Sequence, residues 1–328
     1  MSNYPQMRMR RLRKSESIRR LFDSPLPGPE KFVWPLFISE GEGVREEITS
    51  MEGQYRLSPD KLCREVESAA KAGIGSVLLF GLTDNDKKDA CGSEAYREEG
   101  SIQKAITVLK KEFPDLPVMT DVCLCAYTDH GHCGPLDKEG NVDNDASLEH
   151  LKKIALSHAR AGADIVAPSA MMDGQISAIR SALDCEHFSD ISIMSYSTKF
   201  ASAFYGPFRD AEKSAPGKGD RKGYQQSWAD PRQALRESLM DEDEGADILM
   251  VKPALLYLDV IKTVRENSLL PLAAYNTSGE YAMLIASAEK GYGNLKDMVR
   301  ESIGAINRAG ADLIITYWAS RYNDLFKD

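Results

Sequence analysis

Nowhere does the sequence approach the ~18 to 20 consecutive apolar residues that a membrane-crossing helix needs. No apolar segment follows the N-terminus as a secretory leader would require. Low-complexity stretches are also missing, and 42% hydrophobic residues stand against 28% charged ones, so wholesale disorder is excluded and a large core is expected. Cysteine is sparse. Six in 328 residues are too few for a disulfide scaffold, so they read as thiols or metal ligands of a cytoplasmic protein. After the first candidate strand, Ser39-Glu40-Gly41-Glu42-Gly43 lacks the glycine spacing of a dinucleotide-binding turn.

What charge there is lies unevenly. Residues 1–20 carry seven basic side chains against Glu16 alone, which leaves that segment at +6 and the rest of the chain at −15, for a total of −9. The acidic body would repel a polyanion and the basic stretch has few aromatics for stacking, so neither nucleic acid nor membrane is the expected partner. Residues 1–30 are instead expected to form an arm that docks on an acidic surface of another subunit.

Short apolar or β-branched runs recur at 32–38, 76–80, 118–122, 164–167, 191–196, 247–251, 272–275 and 313–316. They are continuous rather than alternating, the pattern of strands buried on both faces of a parallel sheet. Amphipathic stretches at 60–72, 102–113, 148–161, 175–183, 231–244, 257–266, 281–290 and 295–309 fill the gaps. A small phrase recurs between them: Ala161-Gly162-Ala163-Asp164, Glu244-Gly245-Ala246-Asp247 and Ala309-Gly310-Ala311-Asp312, with a variant at Ala72-Gly73-Ile74-Gly75. Each glycine is placed to end a helix in the left-handed conformation before a strand begins. Eight strands alternating with eight helices predict an α/β fold, a (β/α)8 (TIM) barrel over 31–328 with an extended N-terminal arm.

In such a barrel, chemistry belongs at the C-terminal ends of the strands. Those ends offer Asp121 and Cys123, Ser169, Ser197 and Lys199, Lys252, Tyr275 and Ser278, and Tyr317. Lysine is seldom buried, so two at the ends of adjacent strands need a reason. Each ammonium disfavours charge on the other and burial acts the same way, leaving neutral amine able to attack a carbonyl. One snorkelling lysine would be unremarkable, but a pair points to Schiff-base chemistry.

Cys123-Leu124-Cys125, followed by Cys133 in a His130-Gly131-His132-Cys133 run, could place three thiolates on Zn²⁺ with the fourth position open. An extended chain would put the first two sulfurs on one side. His130 and His132 could be ligands, partners of ligands or proton carriers. The stretch 201–224 is long, glycine-rich and basic, with Arg209, Lys213, Lys218, Arg221 and Lys222, and reads as part of a lid over about 201–226. Its arginines suit a carboxylate, so the expected substrate is a small acid bearing a ketone or aldehyde. A lysine aldolase on the same barrel and a cysteine-based zinc or redox sensor stand as alternatives.

Taken together, Arg10-Arg11-Leu12-Arg13, Asp121-Val122-Cys123-Leu124-Cys125, His130-Gly131-His132-Cys133-Gly134, Ala167-Pro168-Ser169, Met172-Asp173-Gly174, Tyr205-Gly206-Pro207-Phe208-Arg209, Met250-Val251-Lys252-Pro253 and Ser278-Gly279-Glu280-Tyr281 closely resemble the porphobilinogen synthase (5-aminolevulinate dehydratase) family over almost the whole chain. The resemblance implies condensation of two 5-aminolevulinate molecules to porphobilinogen in tetrapyrrole synthesis. It implies that Lys252 and Lys199 form imines with the propionate-side and acetate-side substrates. Ser278 and Tyr317 would hold one carboxylate, and Arg209 and Arg221 the other, with Gln225 beside them. Asp121 and Ser169 would line the second site, and Tyr205, Phe208 and Tyr275 complete the expected binding set. The cysteines resemble the zinc-using members, Glu237 matches an allosteric Mg²⁺ ligand of some members, and the arm suggests a homo-octamer.

Overall fold

A computed structural model describes residues 4–212, 214, 216–217 and 219–327. In chain order its elements are α1 (Glu16–Arg20), β1 (Phe32–Ile38), β2 (Arg45–Glu47), β3 (Tyr55–Leu57), α2 (Pro59–Ala72), β4 (Ser76–Gly81), α3 (Ser101–Glu112), β5 (Val118–Val122), α4 (Asn144–Ala161) and β6 (Ile165–Pro168). There follow α5 (Gln175–Cys185), β7 (Ser192–Lys199), α6 (Gly206–Glu212), α7 (Pro231–Asp243), β8 (Ile248–Lys252), α8 (Leu258–Asn267), β9 (Leu272–Asn276), α9 (Ser278–Glu289), α10 (Leu295–Ala309), β10 (Leu313–Thr316) and α11 (Tyr322–Phe326). Strands β1 and β4 to β10 pair in parallel in sequence order, and β10 returns to β1 through Phe32↔Ile314 and Val33↔Ile315. This closes a (β/α)8 barrel. Every residue of β1, β4, β8 and β9 is buried, which is why these strands read as unbroken apolar runs.

Seven of the eight expected strands begin and end within one residue of the observed ones. The exception is β7, which continues to Lys199 through a register shift between Ser195 and Thr198. The hairpin of β2 and β3 was not expected from the sequence. β3 pairs in parallel with β1 outside the barrel and β2 runs antiparallel to it; Arg45-Glu46-Glu47 is wholly exposed and carries no apolar pattern.

The recurring Gly-Ala-Asp phrase does two jobs. Gly162 and Gly245 both turn the chain at φ +102°, as a left-handed helix end requires. The aspartate two residues on then accepts a backbone N–H from the start of the preceding strand: Asp164 from Val118 (2.7 Å), Asp247 from Ile193 (2.7 Å) and Asp312 from Leu272 (2.8 Å). These bonds satisfy strand-end donors that the barrel ladder leaves open, and they close the end of the barrel opposite the site. The variant phrase ends in Gly75 because a Cβ there would lie 2.1 Å from the Glu30 carbonyl oxygen.

Ahead of the barrel, α1 and a 3₁₀ turn at Met9–Arg13 have no buried residue, and Ser15 caps α1 by accepting from the Ile18 N–H.

Candidate active site

Lys199 and Lys252 end β7 and β8 and are register partners, so their side chains leave the same face of neighbouring strands. They are only 6% and 4% exposed, which rules out snorkelling. Lys199 Nζ donates to the Ser169 carbonyl at 2.6 Å, just beyond β6. Lys252 Nζ sits among aromatic rings, 4.0 Å from the centroid of Tyr275, 4.7 Å from Phe208, 5.1 Å from Tyr196 and 5.4 Å from Tyr205. Those ring faces favour a cation, yet burial and the neighbouring Lys199 outweigh them and bring the Lys252 amine down to about 7. A neutral nucleophilic amine is therefore well populated at neutral pH.

Asp121, Ser169, Lys199, Tyr205, Phe208, Arg209, Arg221 and Lys252 share one cavity of about 20 Å³, room for roughly one water. Burial, then the charge of Glu212, pushes the Asp121 carboxyl up to about 7, against the pull of Lys199. At the mouth, Arg209, Arg221 and Gln225 face a wider cleft of about 840 Å³ with Trp228 and Tyr257. Among the described residues, Asp121 Oδ1, Arg209 Nε, Arg221 Nε and both amide atoms of Gln225 are buried without a hydrogen-bond partner. Such atoms are costly in a folded protein; Asp121 lines the small cavity, Gln225 the wider cleft and both arginines line the two, which marks a place for a polar ligand with an anionic end. Burial, then the charge of Arg221, lowers the pKa of Arg209, a repulsion that a bound carboxylate would relieve.

Ser278 opens α9, and its Oγ accepts the Phe208 N–H at 2.9 Å, tying α6 to the barrel rim. The contact needs Gly279, whose Cβ would otherwise lie 2.5 Å from the Phe204 carbonyl oxygen. Tyr317 and Tyr275 share a hydroxyl contact of 3.2 Å, which brings Tyr317 beside the aromatic wall of Lys252. Lys213 and Lys218 of the expected lid lie outside the described residues.

Cys123, Cys125 and Cys133 are buried with their sulfurs all within 4.8 Å of one another. The first two, 3.4 Å apart, do not lie on extended chain as expected. A turn begins at Leu124, whose carbonyl accepts from Tyr127 and Thr128, and it folds the sulfurs together. Hydrogen bonding among the sulfurs holds Cys133 well below the ordinary thiol range and pushes Cys123 well above it. Three converging sulfurs in a buried pocket are the donor set of a thiolate-bound metal with an open position. Neither histidine belongs to the cluster: His132 Nδ1 meets Tyr224 OH at 3.1 Å, and His130 Nδ1 accepts the His132 N–H.

Glu237 is not brought to this site. It lies on α7 in a neighbouring cleft with Asp173 and Gln233, which adjoins the wider cleft at Gln225, and its two oxygens accept from the Gln226 and Gln233 amides. Two residues of the site escaped the sequence reading. Tyr196 was hidden by the β7 register shift, which breaks the alternation that would mark it as facing inward. Glu212, at the end of α6, is the one acid this lid helix sends into the cavity, where burial and Cys125 push it up to about 8.

The family model described as delta-aminolevulinic acid dehydratase matches residues 6–325. A protein of that name from Methanothermobacter thermautotrophicus is 52% identical over 318 residues, covering 96% of each chain. Another, from Escherichia coli, is 50% identical over 312 residues and 95% of each chain. Among solved structures, delta-aminolevulinic acid dehydratase (porphobilinogen synthase) from Toxoplasma gondii, in complex with the reaction product porphobilinogen, superposes with a TM-score of 0.94 at 46% identity. That match covers 97% of this chain and 91% of the other.

Proposed function

The chain belongs to the delta-aminolevulinic acid dehydratase family and is a lyase that joins two molecules of 5-aminolevulinate, with loss of water, into porphobilinogen; from that premise we propose that Lys252 and Lys199 hold the two substrates as imines. The observation that carries this assignment is the buried, register-paired lysines with the Lys252 amine near 7. The neutral amine of Lys252 attacks the ketone carbon of the first substrate, and the carbonyl oxygen leaves as water. Asp121, itself near 7, can give and take the protons this needs. Lys199 engages the second substrate from the adjacent strand, with Asp121 and Ser169 lining that side.

Arg209 and Arg221 clamp one carboxylate with Gln225 beside them, which would satisfy the unpartnered atoms at the mouth. Ser278 and Tyr317 bind the other, while Tyr205, Phe208 and Tyr275 form the apolar walls. The cysteine cluster can hold a metal ion. Zinc bound by Cys123, Cys125 and Cys133 would polarise the second substrate's carbonyl or bind its amine. Glu237 offers one carboxylate at its own cleft, which accords with the habit of Mg²⁺ to keep most of its waters, and we assign it an allosteric role.

Residues 1–30 serve as the arm of a homo-octamer. Exposed Tyr4, Met7, Met9, Leu12, Leu21 and Phe22 beside the basic residues support that role, since apolar side chains on an extended arm gain by burial against a neighbour. The enzyme works in the cytoplasm. Among the described residues, no helix is long and apolar enough to cross a membrane.

The imine assignment is tested by trapping with borohydride in the presence of 5-aminolevulinate and mapping the reduced adduct. Because the pKa of the Lys252 amine is lowered to about 7, the reactive neutral form grows as pH rises through 7. The trapping rate at Lys252 should climb roughly tenfold per pH unit below 7 and level off above it. A rate that rises only above pH 9, as for an ordinary lysine, overturns the assignment.

A further inference from the structure

Glu212 has no place in the imine chemistry, yet it is buried and lines the same cavity as Lys199 and Lys252. It is not there as an ion-pair partner: among the described residues it forms no salt bridge within 4 Å, although Arg221, Lys199 and Lys252 line the same cavity. What its Oε2 does touch is Cys125 Sγ, at 3.4 Å, while the Ser214 hydroxyl donates to the same oxygen. Tetrahedral coordination with metal–sulfur bonds of about 2.3 Å and metal–oxygen bonds of about 2.0 Å puts neighbouring sulfur and oxygen ligands about 3.5 Å apart. The carboxylate stands off Cys125 by the edge of such a tetrahedron but is not within 4.8 Å of all three sulfurs, so a fourth bond needs the Glu212 side chain to swing further toward the cluster.

We propose that Glu212 is a fourth donor, carried by α6, to the metal held by Cys123, Cys125 and Cys133; this rests on reading those cysteines as metal ligands. Three thiolates leave one position open, and a carboxylate fills it compatibly with zinc. The excess negative charge faces the buried Arg221, whose guanidinium donates to the Ser214 and Gly131 carbonyls beside the cluster. Since α6 also carries Phe208 and Arg209, the same helix caps the metal and covers the substrate cavity. Its withdrawal frees the position for the substrate's carbonyl or amine, so metal coordination and access to the site change together.

The test uses the full-length enzyme, stripped of metal and reloaded with Co²⁺, together with Zn²⁺ affinity measured against a chromophoric chelator. Glu212→Gln keeps the shape and the Ser214 bond, and Glu212→Ala removes the donor altogether. Both should retain the thiolate-to-cobalt charge-transfer band, shift the d–d bands, and weaken Zn²⁺ binding by about tenfold or more. Superimposable d–d bands and Zn²⁺ affinities within about twofold of the unaltered enzyme overturn the role of Glu212 while leaving the cysteine site intact. An unaltered enzyme that takes up no thiolate-bound metal overturns the cysteine reading, and this inference with it.

Discussion

Replacing Lys252 with alanine is expected to lower turnover by about 10⁴-fold or more, because the step that makes the substrate carbon reactive has no other nucleophile at that position. Lys252→Arg should do no better. A guanidinium stays protonated at every accessible pH, and its planar fork would not fit the space among Tyr275, Phe208, Tyr196 and Tyr205. Lys199→Ala should also be severely impaired, and the double variant should be scarcely worse than Lys252→Ala, since groups that act as a unit are not additive. Initial rates for the three variants, with circular dichroism to establish folding, check this. A Lys252→Ala enzyme within tenfold of the unaltered rate contradicts it.

The second large effect concerns the sulfurs. Removing a hydrogen-bond partner of a metal ligand typically weakens binding by about 10–100-fold, so removing a ligand itself, as in Cys133→Ala, should exceed about 100-fold. Product formation should be lost with the metal. Borohydride trapping of substrate at Lys252 should survive, because Cys133 does not line the cavity that holds its amine. Metal content per chain, product formation and trapping are measured on one preparation. A Cys133→Ala enzyme that makes product at the normal rate without bound metal contradicts the metal's role.

The barrel was legible because its physics is local. Strands buried on both faces must be apolar throughout, and the Gly-Ala-Asp phrase punctuates each helix-to-strand junction. The second use of that phrase was not legible, since the bonds of Asp164, Asp247 and Asp312 reach strands some forty to fifty residues earlier. The lysines could be read as strand-end residues, and their facing each other follows from neighbouring strand order. Tyr196 could not be read so, because a register shift inside β7 resets which side chains point inward. Glu212 stayed hidden among basic neighbours on a segment read as a carboxylate clamp. Only the fold of α6 over the rim turns it toward Cys125. The hairpin of β2 and β3 has too little apolar surface to leave a pattern, its outer strand being three exposed charged residues.

The central claim is a condensation run by paired lysines beside a metal-binding cysteine cluster. Its most direct test is purified enzyme given 5-aminolevulinate as sole substrate, with pyrrole scored colorimetrically before chelation, after it, and after Zn²⁺ is restored. The account predicts pyrrole that disappears on chelation and returns with Zn²⁺. No pyrrole under any metal contradicts the reaction itself, and pyrrole unaffected by complete metal removal contradicts the part assigned to Cys123, Cys125 and Cys133.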